Sequence, residues 1–96
     1  MNLMTNLYWN SFTTTAFRSK KEAFNKAKEI MLKMKLQNVK INPSDVNGTI
    51  SDTIFAVTFV QLDSTRFVAI AMSSGSSANT LISNFLAKLK DVVRID

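Results

Sequence analysis

Protein chemistry starts from a few side-chain types, and two of the most versatile are missing: the 96-residue sequence has no His and no Cys. Without Cys there is no disulfide, no thiolate nucleophile and no thiolate metal site. Without His the commonest general base and neutral metal ligand are gone, so no Ser–His–Asp or Cys–His arrangement can form within the chain. Ser with Lys, or a pair of carboxylates, remains. Asp45, Asp52 and Asp63 fall in expected turns, Asp91 and Asp96 lie near the C-terminus, and Glu22 and Glu29 sit on the outer side of a Lys-rich segment. A carboxylate base needs partial burial and a positioned partner to reach a useful pKa. No spacing brings two acids onto a common buried face, and Asp45-Val46-Asn47 is too sparse for an oxygen-ligand metal loop. These residues point to a non-enzymatic chain, with no catalytic residue, metal site or cofactor expected.

Binding chemistry is better represented. From Arg18 to Lys40 there are eight basic residues and two acids, a balance of +6, while the rest carries −1, giving the net charge of +5. On a helical wheel Lys21, Lys28 and Lys35 form a stripe beside an apolar face, with Lys26 and Lys33 on the other flank. Such a stripe would take nucleic acid, a phosphorylated ligand or an acidic protein. The structural alternative is that lysine stems cover apolar surface while their heads stay in water. Glu22 with Lys26 and Glu29 with Lys33 are also ordinary i,i+4 pairs. Arg is scarce and aromatics do not interleave with the lysines, whereas nucleic-acid readers favour Arg forks and stacking platforms. A second anion candidate is the turn Ser74-Gly75-Ser76-Ser77, where a helix N-terminus would expose backbone donors to a small anionic ligand. It lacks the Gly-Lys-Ser/Thr ending of a P-loop and the spaced glycines of a dinucleotide loop. The same residues suit an N-cap and a tight connection.

The elements that must position these residues follow from periodicity. The length fits one domain, residues 1–96, and the 46% hydrophobic content with seven Phe is that of a folded chain. Leu7 to Phe17, rich in Tyr, Trp, Phe, Thr and Ser, reads as a strand. Ser19-Lys20-Lys21-Glu22 matches a capping box. The helix it opens is expected to run to about Leu36, with Ala23, Phe24, Ala27, Ile30, Met31 and Met34 within an arc of about 120°. Asn38 is its expected stop. Val39 to Asn42 is a short extended piece ending at Pro43, and Val46 to Ser51 resumes the extended pattern with Gly48 as a bulge or close approach. Ile54–Leu62 and Phe67–Met72 flank Asp63-Ser64-Thr65-Arg66 as a hairpin. An even-numbered loop would gather Phe55, Val57, Phe59, Val68, Ile70 and Met72 on one face, and that register is the expected one. The last helix carries Ala78, Leu81, Ile82, Phe85, Leu86 and Leu89 at buried-face spacing. Val92 to Ile95 is a candidate final edge strand. The expected fold is α+β, a two-layer sandwich with an antiparallel sheet and two helices on one face, in the order β-α-β-β-β-α with an optional last strand.

From Val46 onward the sequence resembles a class of short bacterial α+β proteins with no assigned activity. The residues that carry the likeness are Val46-Asn47-Gly48, Ala56-Val57-Thr58 and Arg66-Phe67-Val68-Ala69-Ile70, closed by the helix with Leu81, Phe85 and Leu89. The resemblance implies a sheet followed by a packing helix and transfers no functional residue.

The central hairpin is apolar on both faces, so helices on one side leave a patch with Ile54, Val60 and Phe67 that invites a partner. The alternative is that the segment with Tyr8, Trp9 and Phe12 folds across it. The expected function is a small protein-interaction module, binding a protein partner or forming a homodimer through the sheet surface at Tyr8, Trp9, Ile54, Val60 and Phe67. The alternative is an anion or nucleic-acid binder using Lys21, Lys28 and Lys35. No signal-like segment or apolar run of about 18 residues is present, so the expectation is a soluble cytoplasmic protein without membrane partners.

Overall fold

A computed structural model describes residues 7–14 and 17–92. Strand β1 (Leu7–Thr14) leads to helix α1 (Lys20–Lys33), followed by β2 (Gln37–Ile41), β3 (Val46–Ile50), β4 (Thr53–Gln61), β5 (Phe67–Ser74) and helix α2 (Ala78–Val92). The strands form one antiparallel sheet in the order β1-β5-β4-β3-β2. Both helices pack on one face of it, so the α+β two-layer architecture is the one its periodicities dictate. The strand count is one higher than expected, because the short extended piece before Pro43 is an independent strand paired with β3. The candidate last strand lies at residues 93–95, outside the described residues, and Val92 belongs to α2.

Helix α1 starts as its sequence dictates. Ser19 caps it, its Oγ accepting from the Glu22 N–H at 3.1 Å, while Glu22 Oε1 accepts from the Arg18 N–H at 3.1 Å. The reciprocal bond thus reaches one residue further back than in a standard capping box. Ala23, Phe24, Ala27, Ile30 and Met31 are its buried stripe. The helix ends earlier than Leu36. Lys35 takes a left-handed φ of 70°, and the Leu36 and Lys35 N–H groups donate to the Met31 and Leu32 carbonyls. This is a Schellman stop, closed by burial of Leu36 and Met31 together. Asn38 is not the stop. With φ 55° it sits in the bulge that shifts the β2–β3 register between Gln37 and Lys40. Gly48 stays in register opposite Phe55, and a Cβ there would meet Val39 Cγ2 at 3.0 Å, so it permits a close approach rather than bulging.

The β4–β5 register is the other correction. Gln61 pairs with Phe67 across a five-residue, odd-numbered loop, so Phe55, Val57 and Phe59 share a face with Ser73, Ala71 and Ala69. Two causes act together. Asp63 gathers the loop, its carboxylate accepting from the Thr65 and Arg66 N–H groups at 3.0 and 2.9 Å and from Arg66 Nε at 2.8 Å. The helices also bring large side chains of their own: Phe24 lies 5.7 Å from Phe59 and Phe85 lies 5.2 Å from Phe55, between ring centroids. Small alanines on β5 leave room for those rings, whereas Ile70 and Met72 would overfill the layer. Phe17 completes the cluster edge-on to Phe59 and Phe67.

Candidate functional site

The side of the sheet away from the helices is assembled by register. Trp9, Met72, Ala56, Asn47 and Lys40 form one row across all five strands. Ser11, Ile70 and Thr58 form the next, and Thr13, Val68 and Val60 a third. Trp9 is 67% exposed, Ile54 57% and Val60 47%, while Val68, Ile70, Met72 and Ala56 are half-buried. Among the described strand residues Lys40, on the far edge, is the one charged side chain of this face. A shallow depression of about 210 Å³ runs between Ile54, Ala56, Met72 and Ser74. The face is therefore an apolar platform rimmed by hydroxyls.

Its two edges differ. β2 carries the bulge, the left-handed Asn38 and Lys40, and is followed by Pro43, all features that discourage a further strand. β1 has no charge, Pro or bulge, and keeps an unbroken register with β5 over eight pairs. One local bond covers part of that edge, from the Ser11 N–H to Asn10 Oδ1 at 2.9 Å.

The expected surface residues divide across the sheet. Trp9, Ile54 and Val60 stand together on the open face. Tyr8 lies on the helix side, opposite Ser73, and is 40% exposed. Phe67 must be removed from the surface: it pairs with Thr14 and Gln61 on the helix side and is fully buried. The cause is the odd-numbered loop, which turns Phe67 inward and Val68, Ile70 and Met72 outward. Those three complete the platform and were missed for that reason. The signal that identifies them is the small pair Ala69 and Ala71 opposite the large Phe59 and Val57. The segment with Tyr8, Trp9 and Phe12 does not fold across the sheet but pairs at its edge, Phe12 packing against the core from the helix side.

The lysine stripe is also broken. Lys21 and Lys28 lie on α1, but Lys35 has left the helix in its terminating turn. Glu29 holds Lys26 at 3.5 Å and Lys33 at 3.7 Å, and Glu22 is engaged with the Arg18 backbone in place of Lys26.

The turn Ser74-Gly75-Ser76-Ser77 is filled from within the chain. Gly75 has φ 133°, and a Cβ there would fall 2.6 Å from the Thr53 Cα. That contact docks the turn on the β3–β4 hairpin, where the Ser77 N–H donates to Thr53 Oγ1 at 3.0 Å. Ser76 Oγ and Thr53 Oγ1 both donate to Asp52 Oδ1, at 2.7 and 3.0 Å. These bonds, Ser76 first and Thr53 second, lower the Asp52 pKa below its ordinary 3.8. The helix N-terminus thus already has an anion beside it, the Asp52 carboxylate, where the macrodipole favours one. A second anion would be repelled.

One larger concavity, about 550 Å³, lies where the first turn of α1 meets the end of β2. It is lined by Lys20, Lys21, Phe24, Asn25, Ile41, Asn42 and Pro43. Asp45, Asp52 and Asp63 each sit in a different turn, and no group of three or more acids that could hold a metal occurs among the described residues. No described helix is long and apolar enough to cross a membrane. No protein-family model, curated protein or solved structure matches this chain.

Proposed function

We propose that this chain is a non-enzymatic protein-interaction module that binds through the open face of its sheet, with a second copy of itself as the partner. The observation that carries the reading is the contiguity of Trp9, Ile54 and Val60 with Val68, Ile70 and Met72 on a face whose one described charge lies at the far edge. Water-exposed apolar groups set side by side favour association, because covering them releases the same free energy that burial gives a core. Two such faces meet without charge conflict, although each chain carries +5.

Trp9 is the single Trp in the chain, so its emission reports directly on this face. Light scattering across a concentration series is expected to show a monomer passing to a dimer, with Trp9 emission moving to shorter wavelength in step. Val60→Lys and Ile70→Lys are expected to hold the chain monomeric while leaving its melting at low concentration nearly unchanged. A strict monomer with water-exposed Trp9 emission at every concentration would overturn the proposal. The lysine-rich helix supports nucleic-acid binding less well, since Lys35 lies off the stripe and Lys26 and Lys33 are paired with Glu29.

A further inference from the structure

We propose that the groove between the first turn of α1 and the end of β2 binds a small amphiphilic carboxylate, with its apolar body on Phe24, Ile41 and Pro43 and its charge at Lys20 and Lys21. The groove is on the helix side of the sheet, since Ile41 pairs with Val46, which is buried under the helices. It is therefore independent of the open face.

Size and lining agree on a small molecule. About 550 Å³ falls within the range of ligand sites, roughly 300–1,000 Å³, which are mostly apolar with a few placed polar groups. Phe24 forms the buried floor, and Ile41, 40% exposed, forms a wall that no described side chain covers fully. Lys20 Nζ stands 5.8 Å from the Phe24 ring centroid, which holds an ammonium directly over the apolar floor. No acid is among the described residues that line the groove. Two carboxylates of the adjoining segments are held by other groups, Glu22 by the Arg18 N–H and Asp45 by the Asn42 and Asn47 side-chain amides.

The placement of the two lysines is a second, separate observation. Lys20 and Lys21 occupy the first turn of α1, the end where the helix macrodipole repels cations. The ion pairs of α1 use Lys26 and Lys33 further along. Within the helix Lys20 has the Phe24 ring for a partner, but no described ion pair uses Lys20 or Lys21, whereas a bound carboxylate would satisfy both and gain from the same dipole. An inorganic anion would use the charge alone, and a neutral solute the apolar wall alone. An amphiphile uses both.

The test is an amide chemical-shift titration of the full chain with decanoate below its micelle concentration, beside decanol, acetate and anionic lipid vesicles. Decanoate is expected to give saturable shifts at Lys21, Phe24 and Asn42, with decanol at least about tenfold weaker and acetate without effect. Lys20→Gln with Lys21→Gln is expected to weaken decanoate about tenfold while melting at the same or a higher temperature. Ile41→Asp, on a different element, is expected to abolish binding. The proposal is overturned if decanoate gives no saturable shift at these amides, or if decanol binds as well. It is equally overturned by shifts centred on Trp9 and Met72, by binding to vesicles alone, or by undiminished binding to both variants.

Discussion

Strands β4 and β5 each present two faces, and the two behave as different materials. Toward the helices stand Phe55, Val57, Phe59, Phe67, Ala69 and Ala71, all essentially without solvent contact. Toward the open side stand Ile54, Ala56, Val60, Val68, Ile70 and Met72, exposed or half-exposed. The difference is not hydrophobicity, since Ile70 and Met72 are more apolar than the buried alanines. It is whether a neighbour covers the residue. Helices with bulky Phe24 and Phe85 select small partners on β5, and the larger β5 side chains are left to the open side of the sheet.

The widest test of that difference is a neighbouring pair. Phe55→Ala is expected to destabilise the fold by about 3–5 kcal/mol, because it opens a cavity under Phe85. Ile54→Ala, one residue away on the open face, is expected to stay within about 0.5 kcal/mol in urea denaturation of the monomer. Comparable losses at the two positions would break the distinction.

Next in size is the joint that brings α2 onto the covered face. Gly75→Ala places a Cβ into Thr53 at a φ that L residues avoid, at a cost of about 1–3 kcal/mol. Hydrogen exchange is expected to show that loss first at the α2 N-terminus. Uniform loosening would mean that the turn is not the docking point.

A gain is expected at the end of α1. Lys35 bears the strain of a left-handed backbone in a position suited to glycine, so Lys35→Gly is expected to add about 0.5–1 kcal/mol by thermal melting. Unchanged nucleic-acid retention in this variant would also separate Lys35 from any anion-binding role.

The smallest effect concerns the loop that sets the register. The Thr65 N–H, with Arg66 donating alongside, lowers the Asp63 pKa from 3.8 to about 2. Its folded value lies below its unfolded one, so its stabilising contribution is present above pH 3.8 and is lost as pH falls toward 2. Asp63→Asn is expected to flatten that part of the acid-denaturation curve. An unchanged acid slope would show that the carboxylate does not help to hold the five-residue loop.

Local signals account for much of this molecule. Ser19 and Glu22 specify the start of α1, apolar spacing specifies both helices, and two apolar runs around a polar turn specify β4 and β5, because each is encoded within a few residues of itself. The separate strand β2 was not legible in this way. A piece of five residues with a bulge at Asn38 has too little alternation to declare itself, and its pairing with β3 is what makes it a strand. The candidate surface was half legible: Trp9, Ile54 and Val60 stand on the open face, whereas Tyr8 and Phe67 were assigned to the wrong side.

The sequence alone excluded His- and Cys-dependent chemistry, located the excess of positive charge and determined an α+β chain with two amphipathic helices. Only the tertiary structure decided which face of the hairpin the helices cover, that Asp52 and Thr53 hold the turn that precedes α2, and that Lys20 and Lys21 overlook a groove floored by Phe24. The physical reason is common to all three. Each depends on contacts between residues distant in the chain, and periodicity, which reports only a residue's relation to its near neighbours, carries no information about them.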